Sequence, residues 1–446
     1  MALENLREID KLIEEKAFRK IKLELVEENV VDIAEFLSDL ENKDLAIVFR
    51  LLPKKKAAQV FSYMEKEQQV ILLDIFSEKE IKEVMDDMFA DDVVDLLEDM
   101  PANVVTKVLG KVNKDTREII NKMLNYPEDS AGSIMTIEYV ELNPEMTVAE
   151  ALDKIRCIGI KSETVYTCYV VVNHRLIGVV SAKNLMTNPT DCRIENLMNE
   201  NFIAVHTHDD REEVANLFRK YDLIAIPVLD VEDCIVGIVT FDDAIDVITS
   251  ETTEDMQKMA AVTGNDESYF DTSVFKHAKN RIVWLLVLML SSTVTGMILT
   301  RYENAFAAVP LLVSFIPMLS STGGNCGSQT SALIIRGLAV EEIHFSDVFK
   351  VIWKEFRVAL LVSIVLSLAN GLRILIMYRD IPLAIIIAAS LIVTVIVSKT
   401  IGCVFPILAK KIHLDPAMMA SPLITTIVDL CSMVIYFKIA TLVLGI

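Results

Sequence analysis

A single carboxylate stands near the end of the chain in a strongly apolar stretch. Asp429 is the sole ionisable residue between positions 417 and 437. A carboxylate at the centre of a membrane costs roughly 2.5–3.5 kcal/mol on insertion scales, so Asp429 should face a helix-bundle interior or an ion pathway. Ser421, Pro422, Thr425 and Thr426 precede it by about one and two helical turns. Pro422 removes one helical hydrogen bond and is expected to leave a carbonyl free, while the Ser and Thr side chains supply hydroxyl oxygens. These oxygens suit a hydrated hard cation such as Mg²⁺. The alternative is an ion pair with Lys399 or Lys438.

A glycine-rich polar string interrupts another apolar stretch. Residues 322–330 read Thr-Gly-Gly-Asn-Cys-Gly-Ser-Gln-Thr. Inside a membrane, an irregular backbone is tolerated only against protein or a water-filled cavity, so we expect the span to break at 323–325 beside such a cavity. Close contact between helices through these small residues is the alternative.

Three carboxylates lie at helical spacing in the middle of the chain. Glu251, Glu254 and Asp255 occupy positions i, i+3 and i+4, which share one helix face. Carboxylates stacked in this way repel one another unless a cation lies between them. The string therefore predicts either a cation-bridged helix or a solvated linker.

Charge and hydropathy divide the chain into two unlike halves. The 446 residues carry a net charge of −21, yet 52% of them are hydrophobic. Residues 1–270 hold 55 of the 64 acidic and 29 of the 43 basic residues, a net charge of −26, whereas the remainder has a net charge of +5. This split indicates an acidic soluble part followed by a membrane part. So acidic a surface disfavours nucleic acid and favours small or divalent cations. The chain start shows no signal-peptide pattern, so we expect the acidic part to stay in the cytosol.

The acidic half combines short repeated helices with two related α/β units. Between positions 21 and 126, turn-forming residues recur every 11 to 13 residues around short apolar runs, which predicts a superhelix of stacked helices. Strands alternate with helices after position 130, and the string around Gly178 is echoed around Gly237. The two units resemble a pair of CBS domains. That resemblance implies an adenine nucleotide such as ATP near Thr240 and Asp243, and helix capping is the alternative role for both residues.

The second half contains five apolar stretches long enough to cross a hydrocarbon core about 30 Å thick. They are 282–300, 305–335, 358–378, 382–409 and 417–444. With the N-terminus inside, nine basic residues beside the spans face the cytosol and three face outward, as the positive-inside rule requires. We therefore expect a multi-pass protein of the cell membrane with a cytosolic N-terminus.

The whole chain resembles the MgtE family of magnesium channels. The most specific strings are 322–329 and 415–417, the latter followed by Pro422, Thr426 and Asp429. The resemblance implies a multidomain fold with four parts. They are an all-α superhelical N-domain (1–130), an α/β tandem CBS pair (131–250), a long connecting or plug helix (251–275) and an all-α polytopic membrane domain of five transmembrane helices (276–446).

The resemblance also implies roles for particular residues. The protein would be a homodimer whose last span lines the pore, with Asp429 as a Mg²⁺ ligand. Cytosolic Mg²⁺ would close the pore by joining the plug helix to its neighbours. The bridging carboxylates implied by position are Asp91 or Asp92, Asp210, Glu212, Asp243, Glu251, Glu254, Asp255 and Asp415. Two residues depart from the family pattern: Ser421 stands where Asn is common, and Lys399 where a charge is unusual.

Two other classes of function compete with a Mg²⁺ channel. The first is an ion-coupled secondary transporter for Mg²⁺ or Co²⁺ with a nucleotide-sensing CBS pair, but five spans give no even halves for an inverted repeat. The second is an enzyme or a nucleotide-responsive receptor. The sequence contains no nucleophile–base arrangement, no Walker string and no clustered histidines. We therefore expect a Mg²⁺ channel with no enzymatic activity.

Overall fold

A computed structural model describes residues 12–13, 15–98, 100–263, 269–270, 272–302, 309–340, 342–412, 414–419 and 421–445. Backbone contacts divide the chain into two compact units, Met1–Ile248 and Thr249–Ile446. Some predictions fall outside the described residues. These are the start of the predicted N-domain (1–11), part of the predicted plug helix (264–268 and 271) and the beginning of the second predicted span (305–308).

Short helices form the first part of the first unit. Asn29, Ser77 and Asn113 cap three of them through their side chains, and apolar faces such as those of Ile33 and Phe61 are buried between neighbours. Helices this short are stable only when stacked, and the predicted superhelix of stacked helices is confirmed. In the described residues these helices are α1 Phe18–Glu27, α2 Val30–Ser38, α3 Asn42–Phe49, α4 Lys54–Ser62, α5 Lys66–Ile75, α6 Glu78–Met85, α7 Ala90–Glu98, α8 Ala102–Leu109 and α9 Lys114–Met123.

Two three-stranded sheets follow, and they repeat one topology. In each sheet the first strand is parallel to the second, and the second is antiparallel to the third. The repeat confirms the predicted tandem α/β pair. The strands are β1 Glu141–Leu142, β2 Thr167–Val172 and β3 Arg175–Ser181 in one sheet, and β4 Val205–His206, β5 Ala225–Leu229 and β6 Ile235–Thr240 in the other. Helices α10 Val148–Ile158, α11 Ala182–Thr187 and α12 Arg211–Tyr221 accompany them.

A 19-residue helix, α13 Phe241–Met259, leaves the second sheet directly after β6. Its first turn carries Asp242 and Asp243, and Glu251, Glu254 and Asp255 lie in its second half. The part of the predicted plug helix from Glu251 to Met259 is therefore helical. It is continuous with the last helix of the second α/β unit.

Long helices dominate the second unit. They are α14 Val274–Arg301, α15 Ile316–Ala339, α16 Val348–Tyr378, α17 Ile381–Lys411 and α18 Ser421–Leu444. In the part of the chain that the structure describes, four stretches are long and apolar enough to cross a membrane: Val274–Arg301, Phe345–Tyr378, Ile381–Lys411 and Pro422–Leu444. Helix α15, which carries the glycine-rich string, is not among the four. A count of five spans therefore stays a prediction.

The glycine-rich string is helical throughout, so the predicted break at 323–325 is wrong. Its glycines allow close packing instead. A Cβ atom on Gly323 would lie 2.8 Å from Ser432 Oγ, and one on Gly327 would lie 2.9 Å from Ile424 Cγ2. A Cβ on Gly402 of α17 would collide with the Gly327 carbonyl. Small residues thus bring α15 into backbone contact with α17 and place the side chains of α18 against its glycines, which was the alternative interpretation.

Candidate cation sites

Six carboxylates from distant parts of the first unit repel one another electrostatically. We call this group the acidic cluster. Two of its members come from the first turn of α7 and two from the first turn of α13. Helix N-termini carry partial positive charge, which favours carboxylates at these positions. The other two members come from loops. The cluster comprises Asp91, Asp92, Glu138, Glu163, Asp242 and Asp243.

Burial and mutual repulsion raise the pKa values of four of these carboxyl groups. Burial raises the pKa of Asp92 to about 6 and those of Glu163 and Asp243 to about 7, and neighbouring carboxylates add to each shift. The pKa of Asp91 is well above its ordinary value, chiefly through burial, and its Oδ1 atom is buried without a hydrogen-bond partner. No basic side chain is among the main influences on these four pKa values. A cation would therefore relieve repulsion in the cluster.

A hydrated Mg²⁺ ion is a candidate for bridging these carboxylates. Among the described residues, no group of three or more His, Cys, Asp or Glu side chains stands at metal-ligand spacing. Mg²⁺ keeps several of its waters and commonly uses only one or two carboxylates in a protein site. A hydrated Mg²⁺ ion can therefore bridge carboxylates that are too far apart to share a bare ion.

The sequence analysis found half of the acidic cluster. It named Asp91, Asp92 and Asp243, but it missed Asp242, Glu138 and Glu163. Asp242 could have been found, because it precedes Asp243 in the same helical turn. Glu138 and Glu163 lie in loops, and no local pattern marks them. Only the folded chain brings them to the cluster.

Asp210 and Glu212, two other predicted bridging residues, lie at the start of helix α12. The Asp210 Oδ1 atom accepts the Glu212 N–H at 2.8 Å and caps the N-terminus of α12. Neither carboxylate is among the main influences on the raised pKa values of the acidic cluster. The structure thus gives Asp210 a capping role at the start of α12.

Thr240 donates two hydrogen bonds to Asp243 at the start of α13. The Thr240 hydroxyl donates to Asp243 Oδ2 at 2.5 Å, and the Thr240 N–H donates to the same carboxylate. This arrangement gives both residues a role in capping the helix, which was the alternative interpretation, and it leaves a nucleotide role open. An acceptor at Asp243 fits a ribose hydroxyl, but the surrounding carboxylates oppose a phosphate unless a cation lies between them. A groove of about 490 Å³ between α12 and α13 is lined by neither residue.

A second group of charges, which we call the plug–mouth group, consists of Glu254, Asp255, Lys258 and Asp415. The Lys258 Nζ atom lies 2.7 Å from Glu254 Oε1 and 2.7 Å from Asp415 Oδ2. Burial alone would lower the pKa of Lys258, but hydrogen bonds to the two carboxylates outweigh burial and raise it. Burial, followed by the charge of Asp415, raises the pKa of Asp255. The structure therefore joins the predicted carboxylates Glu254 and Asp415 through a lysine that the sequence analysis missed.

Asp429 lies in the middle of α18 with one oxygen available. Its carboxylate is hydrogen-bonded with Ser320 of α15, and its Oδ1 atom is buried with no hydrogen-bond partner among the residues that the structure describes. Lys399, one of the two lysines considered as its partner, contacts Glu355 and Thr330 instead. The geometry therefore leaves Asp429 able to receive a cation.

Pro422 does not free a carbonyl in the way the sequence predicted. It is the second residue of α18, where a helix lacks a partner for its N–H in any case. Its carbonyl accepts the Thr426 hydroxyl at 2.9 Å. Pro422 therefore frees no carbonyl, and that part of the prediction is wrong, whereas the Thr426 hydroxyl oxygen keeps its lone pairs.

Family models match most of the chain in the same order as the described parts. A model described as the MgtE intracellular N domain matches residues 28–129, and the CBS domain model matches 131–190 and 194–250. A model described as a divalent cation transporter, MgtE, matches 316–439.

Curated relatives cover nearly the whole chain. The magnesium transporter MgtE of Bacillus subtilis is 32% identical over 423 residues, which are 92% of this chain and 93% of that protein. The protein of the same name from Thermus thermophilus is 35% identical over 443 residues, which are 98% of each chain. Among solved structures, the cytosolic domain of the Mg²⁺ channel MgtE in complex with ATP is 34% identical with a TM-score of 0.52. It aligns over 55% of this chain and 100% of its own.

Proposed function

The chain belongs to the MgtE family, and we propose that it is a Mg²⁺-selective channel for magnesium uptake that closes when Mg²⁺ binds its cytosolic carboxylates. The acidic cluster carries this proposal. It holds carboxyl groups with raised pKa values and has no basic side chain among their main influences. The names of the relatives point to Mg²⁺ as the cargo.

The gating mechanism follows from the charges. When Mg²⁺ is scarce, the carboxylates on α7 and α13 repel one another, and the compact arrangement of the cytosolic part is disfavoured. When Mg²⁺ is plentiful, it binds that arrangement in preference to the loosened one and shifts the population toward it. Helix α13 carries members of both groups, Asp243 in its first turn and Glu254 in its second half, and is the element on which we expect coupling between them to depend.

Asp429 supplies the permeation site in this proposal. Its unpartnered Oδ1 atom would accept hydrogen bonds from the waters of a hydrated Mg²⁺ ion, and the hydrogen bond with Ser320 would hold the carboxylate in place. In a homodimer with the last span at the pore, two such carboxylates would face one ion.

We also propose the setting in which this channel works. The protein is a homodimer in the cell membrane with its N-terminus in the cytosol. ATP binds the CBS pair near Thr240 and Asp243, with a cation between its phosphates and the acidic cluster. The proposed domain boundaries are 1–130, 131–250, 251–275 and 276–446.

Single-channel recording in planar bilayers tests the function. We expect unitary Mg²⁺ currents whose open probability falls as Mg²⁺ on the cytosolic side rises through roughly the millimolar range. An ion-coupled transporter would instead show Mg²⁺ flux that depends on a Na⁺ or H⁺ gradient and no unitary currents. That outcome would support an ion-coupled transporter instead of a channel. It would not affect the conclusion that the chain belongs to the MgtE family.

A further inference from the structure

Three polar side chains from three helices meet inside the second unit: Lys399 of α17, Glu355 of α16 and Thr330 of α15. Lys399 is only 6% exposed, and Thr330 is fully buried. The Lys399 Nζ atom lies 3.0 Å from Thr330 Oγ1 and 3.6 Å from Glu355 Oε2. The Thr330 hydroxyl donates to Glu355 Oε2 at 3.1 Å.

The Thr330 Oγ1 and Glu355 Oε2 atoms both face the Lys399 ammonium group. A threonine hydroxyl has one proton, and since that proton goes to Glu355, the lone pairs of Thr330 are left for Lys399. The ammonium group thus contacts a hydroxyl oxygen and a carboxylate oxygen together. Oxygen atoms are also the ligands that a small metal cation takes in membrane transport proteins.

Lys399 lies inside a helix that is long and apolar enough to span a membrane, about 18 Å along α17 from its last residue, Lys411. Glu355 lies nearer the end of its helix, about 10 Å along α16 from its first residue, Val348, and three residues before the predicted span 358–378. An ionisable group inside a span, as Lys399 is, is paired or lines a pathway. A Glu355 carboxylate without Lys399 would have to take up a proton or another cation.

We propose that Glu355 and Thr330 form a second cation site among the membrane helices and that Lys399 fills it with the chain's own ammonium group. Asp429 shows the contrast, because it carries no ion pair in the part of the chain that the structure describes. Lys399 then acts as a specificity-determining residue. It prevents other cations from binding between α15, α16 and α17, so that the permeating ion binds at Asp429. This inference rests on the proposed function of Asp429, but its test does not use transport.

Thermal unfolding of the full-length protein in detergent tests the site, with Na⁺ as the probe, choline as the replacement cation and EDTA present. We expect Lys399→Met to open the site to Na⁺. The Tm of this variant should then be about 2–5 °C higher in about 0.3 M Na⁺ than in sodium-free buffer of the same ionic strength. Wild type should show no such rise. The matched control is Lys399→Met with Glu355→Gln, which removes both charges and should also lose the response.

The outcomes separate this inference from the proposed function. A Lys399→Met variant with the same Tm in sodium and choline would show that Glu355 simply takes up a proton, and would overturn the second site. So would failure of both Lys399→Met and Lys399→Gln to fold in sodium while the double variant folds. Adding Asp429→Asn to Lys399→Met should leave the Na⁺ response intact. If the response disappears, Na⁺ binds at Asp429 and the second site is wrong.

Discussion

The acidic cluster and the plug–mouth group are both built of carboxylates, but they differ in the source of their neutralising charge. In the plug–mouth group, Lys258 contacts two carboxylates at 2.7 Å each. In the acidic cluster, burial and repulsion raise four pKa values, and no basic side chain is among the main influences. Carboxylates with their own ammonium group are partly neutralised at any ion concentration, whereas those without one depend on ions from solution. We therefore expect the acidic cluster to be the more sensitive of the two to Mg²⁺.

Asp429 extends the comparison to the membrane helices and gives the largest expected effect. Like the acidic cluster, it has no basic partner among the described residues. Asp429→Asn should therefore reduce Mg²⁺ uptake about 100-fold, because the charge at the proposed permeation site is lost while the shape is kept. Uptake of Mg²⁺ into cells or proteoliposomes measures the effect. The control is Asp347→Asn, an acid paired with Lys350 at 2.8 Å, which should transport like wild type. Normal uptake by a folded Asp429→Asn protein would remove Asp429 from the pathway.

Asp243→Asn should distinguish a cluster that lacks an internal cation from an ordinary acidic surface. The pKa of Asp243 rises to about 7 in the folded chain from an ordinary value of 3.8. An acid with a raised pKa binds its proton more tightly when folded. Its ionisation therefore costs stability, beginning near pH 4 and reaching the full amount above pH 7. We expect Asp243→Asn to stabilise the protein by about 2–4 kcal/mol at pH 8 in EDTA and to have no effect near pH 4.

Chemical denaturation with and without Mg²⁺ measures this gain, and saturating Mg²⁺ should shrink it. Asp153→Asn is the control, since Asp153 is 71% exposed and pairs with Arg156. An equal gain from both variants, or a gain that is the same at pH 4 and pH 8, would mean that the cluster carries no special repulsion.

Lys258→Met should make the plug–mouth group behave like the acidic cluster. Without its ammonium group, Glu254 and Asp415 repel each other, and we expect residues 251–259 to lose about fivefold in protection against proteolysis in EDTA. Mg²⁺ should restore the protection, because the divalent ion takes the position of the lysine. Lys350→Met removes an exposed ion pair and is the control. Protection of Lys258→Met in EDTA that equals wild type would contradict the proposed role of Lys258.

Asp210→Ala gives the smallest expected effect and tests whether every predicted carboxylate belongs to the Mg²⁺ sites. As a helix cap, Asp210 should contribute about 1 kcal/mol to stability. The Mg²⁺ concentration that half-protects the cytosolic part against proteolysis should stay unchanged in Asp210→Ala and should rise in Asp92→Asn. If the half-protecting Mg²⁺ concentration rises as much in Asp210→Ala as in Asp92→Asn, Asp210 is one of the Mg²⁺-bridging residues.

Local pattern predicted the order of the parts well, because short amphipathic runs, alternating strands and long apolar stretches each follow from neighbouring residues. It failed where a residue's role depends on what packs against it. The glycine-rich string was expected to break the helix, yet α17 and α18 pack so closely on it that it remains helical. Pro422 was expected to interrupt a helix, but that helix begins only at Ser421.

The candidate sites show the same difference between residues that local sequence identifies and residues that only folding brings together. Asp429 could be recognised from the sequence, since an isolated acid in an apolar run is visible there. Lys258 could have been noticed too, because it follows Glu254 by one helical turn, although its second contact with Asp415 comes from a distant segment. Glu138 and Glu163 reach the acidic cluster only through folding, so no local spacing identifies them.

The close packing of α15 on α17 and α18 has a consequence for how the protein is made. Helix α15 is not among the four helices apolar enough to enter a bilayer on composition alone, and its glycine face fits against two helices that are synthesised after it. A ribosome that has completed α15 has not yet produced the surfaces that cover it. We therefore expect the nascent α15 to remain shielded by other protein until α17 and α18 have been made. A chain truncated before Ile381 would leave α15 with neither partner and would expose its polar residues to quality control.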